Sequence, residues 1–300
     1  MEALATLPAV TAISISKRRG RVAEELREAA AKGASMCIVA SDTGSHVEDA
    51  TLAIDLGFDV CVEKPLAPTA QEAAAVHRYA IEHQRNVFVG CVLRFSESLN
   101  VFRSRLPSAG ALHSVRIECQ SYLPDWRPDR VYKESYSARL NEGGVLLDLI
   151  HEIDYAGWLF GWPKAIHARI RNLGRLGIAS EEIAEVDWDT GEFTLSMTLD
   201  YLSRPSRRYI RAAGKLGTVE WNGVNGTVTI SRHGSGHEII RSSQTRLQMF
   251  AAQDEAFINS KSEFFDPRLV AASEGIKALA VCDAARRAAT RYCEEPVQYS

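Results

Sequence analysis

The sequence predicts an α/β chain: a doubly wound parallel sheet first, then an α+β part with an open, mostly antiparallel sheet. Three observations carry this. Over the first ninety residues, short apolar runs alternate with amphipathic stretches of helical period, the pattern of parallel strands covered by crossover helices. From Ala165 to Ile240 the runs lengthen and take on period-2 character, as in GEFTLSMTLDYL and GTVTISRHG. The length of 300 residues also exceeds one ordinary domain.

In order, the first part reads as a strand Ala9–Ile15, a helix Arg21–Lys32 closed by Gly33, and a strand Met36–Ala40. A helix from about Ser45 to Leu56 closed by Gly57, a strand Asp59–Val62, a helix from about Thr69 to His83 and a strand Val87–Cys91 follow. The boundary falls near residues 92–98, giving domains 1–95 and 96–300. The second part opens with a helix near Ser98–Leu106, a strand His113–Tyr122 and a polar aromatic stretch Leu123–Leu140. Gly143-Gly144 then leads into one long helix, Val145–Phe160. A final helix covers roughly Val270–Arg287 and could return to pack on the first domain.

Composition narrows the chemistry. With 35 Lys+Arg against 38 Asp+Glu and a net charge of −3, there is no global electrostatic case for nucleic acid or an anionic membrane. No apolar run approaches the ~18–20 residues of a membrane span. The six cysteines form no CxxC and no cluster at metal-ligand spacing, and no HxxxH or HExxH is present, so no metal is expected. They read as free thiols of a reducing cytoplasm. MEALATLPAV lacks the features of a secretory signal.

Glu63-Lys64-Pro65 ends a predicted strand and precedes a helix, SDTGSH (Ser41–His46) follows the strand before it, and GGVLLDLIHEIDYAGWLFG (Gly143–Gly161) is strongly helical. With TLDYLSRPSRR (Thr198–Arg208) and GTVEW (Gly217–Trp221), these segments resemble, in order, the Gfo/Idh/MocA oxidoreductases. The resemblance implies a Rossmann-type dinucleotide-binding domain, a substrate and oligomerisation domain, and hydride transfer between NAD(H) or NADP(H) and a hydroxyl or ketone carbon of a sugar, sugar derivative or cyclic polyol. It also implies a homo-oligomer, a dimer or tetramer. Lys64 would hydrogen-bond the reacting oxygen and His151 would carry the proton. Asp148, three residues before His151 on the predicted helix where the family's usual spacing is four, would support the imidazole.

Ser41, Thr43, His46, Glu63, Lys64 and Pro65 would line the cofactor, and Arg94 would either face it or form a structural ion pair. Ser16, Arg18 and Arg19 follow the apparent second strand, where NAD-specific proteins place an acid. Bases there suit a 2′-phosphate and favour NADP over NAD. The loop Ser121–Leu140 is the substrate-recognition candidate, through Trp126, Arg127, Tyr132 and Tyr136, with Arg130 and Arg139 beside them. Aromatic faces pack on sugar rings and arginines bind carboxylates or phosphates, so an anionic sugar fits. The same residue types also suit an oligomer interface.

The family's opening strand, GxGxxG turn and helix have no counterpart: MEALATLP already reads as the end of that helix. Either the start lies inside a longer reading frame, or the chain is a truncated, non-catalytic paralogue serving as a sugar-binding or oligomerisation protein.

Overall fold

A computed structural model describes residues 2–7, 11–15, 20–261 and 265–299. They fall into two compact units, Met1–Phe95 with Thr245–Ile276, and Ser96–Gln244 with Lys277–Ser300.

In the first unit, helix α1 (Val22–Ala31) leads to strand β1 (Met36–Val39), helix α2 (His46–Asp55) to β2 (Asp59–Glu63), and helix α3 (Ala70–Glu82) to β3 (Val87–Gly90). The turns after α1 and α2 use Gly33 at φ 91° and Gly57 at φ 84°, a left-handed conformation that glycine adopts without a Cβ penalty. Thr69 caps α3 by accepting the Glu72 backbone N–H. The three strands pair in parallel in the order β1-β2-β3. β3 is buried along its whole length, and so are the first four residues of β2, which is why their sequences show no alternation.

The expected strand Ala9–Ile15 does not form over its described part. Thr11–Ile15 is irregular and mostly exposed, and Pro8, Ala9 and Val10 lie outside the described residues. An apolar run becomes a strand only where a neighbour completes its ladder, and among the described residues nothing pairs with 11–15.

The second unit begins at α4 (Glu97–Arg105), capped by Ser96, whose hydroxyl accepts the Leu99 N–H. Strand β4 (Leu112–Gln120) precedes the short helix α5 (Val145–Asp148) and helix α6 (Ile150–Phe160). Strands β5 (Ala165–Arg171), β6 (Ile183–Asp189), β7 (Thr194–Asp200), β8 (Arg207–Gly214), β9 (Gly217–Asn222), β10 (Thr227–Arg232) and β11 (His237–Arg241) follow.

The chain then re-enters the first unit with α7 (Arg246–Ile258) and β12 (Val270–Ala271), which pairs antiparallel with β3. Helix α8 (Ala272–Arg291) leads to β13 (Glu295–Pro296) on the second sheet. That sheet has nine strands in the order β11-β10-β9-β8-β4-β7-β6-β5-β13. Its neighbours are antiparallel except β4 and β7. Val115, Ile117 and Cys119 of β4 are buried while Arg116 is exposed, the alternation of a one-sided sheet.

Two expectations change here. The expected second domain is 96–300, with a last helix that could pack on the first; Thr245–Ile276 groups with the first unit, and Lys277–Ser300 with the second. Helix α7 escaped sequence reading because Gln253 and Asp254 occupy buried positions and interrupt the apolar stripe that marks an amphipathic helix. Through Phe257, α7 joins Cys61, Phe88, Phe95 and Leu269 in one core cluster. All six cysteines are free.

Candidate active site

On the first unit, the carboxyl ends of the parallel strands carry Ser41–Ser45, Glu63–Pro65 and Cys91–Phe95. This is the edge where ligands of open α/β sheets bind. The Ser41 hydroxyl donates to Asp49 Oδ2 at 2.6 Å, and Thr43 is buried in the one-turn helix Thr43–Ser45. Pro65 follows a cis peptide after Lys64.

His46 is 1% exposed, with Nδ1 2.7 Å from the Pro65 carbonyl oxygen and Nε2 3.0 Å from that of Ser41. Burial pushes its pKa below the ordinary value, against the upward pull of those carbonyls, so the neutral ring prevails. We assign its proton to Nδ1, the nitrogen with the shorter contact. Through Nδ1–H the His46 ring ties the loop after β1 to the Pro65 carbonyl after β2, while Nε2 faces the Ser41 carbonyl without donating to it.

The Glu63 carboxyl lies over the end of β3, where a Cβ on Gly90 would come within 3.1 Å of its Oε2. Burial raises the Glu63 pKa, with the Lys64 charge opposing. Arg94 resolves toward its structural alternative: it is 1% exposed and pairs with Glu274 at 2.7 Å. Ser16, Arg18 and Arg19 lie outside the described residues.

A nicotinamide dinucleotide suits this edge at its nicotinamide-ribose end. There Gly90 leaves room for an acidic side chain that can accept ribose hydroxyls, and Lys64 follows as the adjacent cation. No described residue is assigned to the pyrophosphate.

On the second unit, the expected continuous helix 145–160 is broken at Leu149 (φ −100°, ψ 26°). Asp148 ends α5 and half-buried His151 lies in the first turn of α6. The shared face inferred from a spacing of three presumes an unbroken helix, so it no longer follows. Instead Asp148, 3% exposed, accepts at Oδ2 a hydrogen bond of 2.6 Å from the hydroxyl of fully buried Tyr201. Sequence reasoning passed over Tyr201 because it sits in TLDYL as one more apolar residue at a strand end. It likewise passed over Arg208, which pairs at 2.7 Å with buried Glu152, the residue after His151.

Gly144 (φ 88°) precedes α5, and a Cβ there would overlap the Glu181 carboxyl, itself 3.2 Å from Arg286.

The recognition loop is more firmly fixed than expected. Trp126 donates from Nε1 to Ser121 at 2.9 Å and packs edge-on against Tyr201, with ring centroids 5.4 Å apart. Arg204 makes two bonds of 2.7 Å to Asp125 and lies over the Tyr122 ring. The Tyr132 hydroxyl donates to the Leu176 carbonyl at 3.0 Å. That bond pins the loop to the segment after β5, with the Tyr132 oxygen lone pairs and ring face still able to meet a ligand. Arg139 pairs with Glu142 at 2.9 Å. Arg127 and Arg130 are exposed, with Arg127 near the half-buried Tyr136 ring. Among the described residues no cluster of His, Cys, Asp and Glu could hold a metal ion, and no described helix is long and apolar enough to cross a membrane.

The folds and site residues define a dinucleotide-type sheet domain joined to an α+β domain, and comparison with known proteins gives the same class. Residues 8–91 match the oxidoreductase family model with an NAD-binding Rossmann fold, and residues 108–251 match the GFO/IDH/MocA C-terminal domain. The chain belongs to the Gfo/Idh/MocA oxidoreductase family.

It is 31% identical over 173 residues to scyllo-inositol 2-dehydrogenase (NADP(+)) IolW of Bacillus subtilis, a match covering 55% of this chain and 42% of that protein. It is 27% identical over 143 residues to 2,7-anhydro-N-acetylneuraminate hydratase of Mediterraneibacter gnavus, covering 47% and 38%. Each match thus spans less than half of the relative. In fold it resembles an inositol dehydrogenase homolog complexed with NAD+ from Azotobacter vinelandii, with a TM-score of 0.80, 13% identity, and coverage of 92% of this chain and 82% of that one.

Proposed function

We propose that this chain is an NAD(P)-dependent oxidoreductase acting on a hydroxyl or ketone carbon of a sugar, sugar derivative or cyclic polyol. The observation that supports it most is Glu63-Lys64-Pro65 at the carboxyl end of β2, with the Pro65 carbonyl held by His46. The nicotinamide, when bound, supplies the acceptor or donor for the hydride. Lys64 would donate a hydrogen bond to the reacting oxygen and stabilise negative charge developing there. His151 would take the hydroxyl proton during oxidation and return it during reduction. Asp148 would fix the local field around His151, and Glu63 would accept ribose hydroxyls. Trp126, Tyr136 and Arg127 would meet the substrate, the arginine favouring one that carries a carboxylate or phosphate.

We further propose NADP in preference to NAD, on the basic run Lys17-Arg18-Arg19, and a homo-oligomeric assembly. A fluorescence titration of the purified chain with NADPH and NADH tests the cofactor reading. Saturable binding that is tighter for NADPH, with the preference lost in Arg18→Ala/Arg19→Ala, is the expected result. Absence of binding by a folded chain would overturn it. Loss of turnover in Lys64→Met and His151→Ala, with cofactor affinity retained, is the expected catalytic signature. Light scattering after gel filtration tests the oligomer.

A second reading is suggested by the similarity to the Mediterraneibacter hydratase and the exposed Arg127 and Arg130: elimination or hydration of an anionic sugar with the nicotinamide retained. Cofactor absorbance that survives purification, without net reduction of added NADP, would favour it.

A further inference from the structure

Tyr201 stands where three elements of the second unit converge. Its backbone N–H donates to the Glu182 carbonyl at 3.0 Å, and its own carbonyl accepts the Leu123 N–H at 3.0 Å. The preceding residue, Asp200, accepts from the Leu202 and Ser203 backbones, the Ser203 hydroxyl and the Gln120 amide. The main chain on both sides of Tyr201 is therefore anchored. Its phenol reaches Asp148 and its ring edge meets Trp126. The segment 121–126 is joined to 200–204 at three further points: the Ser121 N–H on the Asp200 carbonyl at 3.1 Å, Arg204 on Asp125, and Arg204 over Tyr122.

We propose that Tyr201 is a positioning residue, holding the Asp148 carboxylate in one orientation through its hydroxyl and tying it to the base of the recognition loop through its ring. The inference rests on the oxidoreductase reading for what Asp148 does, but not for the contact itself. A phenol suits the task because it stays a donor: burial, with Asp148 beside it, keeps its pKa well above the ordinary value. The other ionisable groups near the Tyr201 phenol are Glu181, paired with Arg286, and Tyr136. Losing the donor leaves the Asp148 Oδ2 without the bond that fixes its direction.

The test compares wild type, Tyr201→Phe, Asp148→Asn and the double variant. Tyr201→Phe keeps the ring against Trp126 and removes only the donor. With the polyol that wild type turns over, the variant is expected to lose about tenfold in kcat, the scale of one hydrogen bond to a charged group. KM and NAD(P)H affinity are expected to stay within about twofold, which a general loss of structure would not allow. The double variant is expected to be no slower than Asp148→Asn alone.

Independently of turnover, the 13C carboxyl chemical shift of Asp148 at pH 7, assigned by its loss in Asp148→Asn, is expected to move in Tyr201→Phe, because the hydrogen bond to its Oδ2 is gone. An unchanged Asp148 carboxyl chemical shift, or a kcat loss that adds fully to that of Asp148→Asn, would overturn the proposal. If wild type turns over no polyol, the oxidoreductase reading fails separately, and the carboxyl chemical shift still decides whether Tyr201 holds Asp148.

Discussion

Nδ1 of His46 donates to the Pro65 carbonyl across 2.7 Å, joining residues nineteen apart in the chain. The bond fixes the Pro65 carbonyl, one residue past Lys64, from the first turn of α2, the helix before β2, so the lysine lies beside an anchored peptide. Proline has no backbone N–H, and its carbonyl is its one main-chain hydrogen-bonding group.

His46→Ala leaves the Pro65 carbonyl without its ring donor. The expected loss is about 2 kcal/mol of stability in urea unfolding, together with weaker NAD(P)H binding. Because burial holds the imidazole below its ordinary pKa, the associated stability is fully present above about pH 6.5 and is lost as pH falls through the lowered folded value. That slope is expected to be shallower in His46→Ala, measured by unfolding between pH 5 and pH 8.

Asp254 carries the opposite sign. Burial pushes its carboxyl up to about 6 from 3.8, so its contribution is fully present below about pH 4 and is lost as pH rises through about 6. Asp254→Asn is expected to stabilise the chain by about 1–2 kcal/mol at pH 8. At pH 4 the gain is expected to vanish, and unfolding curves at the two pH values check both.

Glu274→Ala removes the partner of a guanidinium that is 1% exposed. Breaking a buried pair costs about 3–5 kcal/mol, but Glu274 is itself well exposed and water screens it, so a loss of about 1–2 kcal/mol is expected. Arg94→Ala, which vacates a buried volume as well, is expected to lose more. Paired urea curves give the order.

Gly144→Ala places a methyl group on the Glu181 carboxyl at a residue with φ 88°. Arg286 holds that carboxyl on its other side, so the overlap cannot relax freely. A loss of at least ~2 kcal/mol is expected, seen as a lowered Tm. Gly174→Ala, also at positive φ but with nothing nearby, is the control and is expected to lose only about 1 kcal/mol.

The sequence by itself determined the fold class, the alternation β1-α2-β2-α3-β3, and the motif positions at Ser41–His46 and Glu63–Pro65. These are local signals: the apolar period separates buried strands from amphipathic helices, and glycine and threonine mark where helices stop and start. Tertiary structure decided what each polar side chain does. Thr11–Ile15 has a strand-like composition, but a strand needs a ladder partner. Helix α7 forms around buried Gln253 and Asp254, against its own pattern. The His46 ring meets the Pro65 carbonyl, Arg94 meets Glu274, the Tyr132 hydroxyl meets the Leu176 carbonyl, and Tyr201, which looked like sheet filler, reaches Asp148. A donor or acceptor can be read from the residue type, but its partner is set by which chain segments fold together, and only the tertiary fold fixes that.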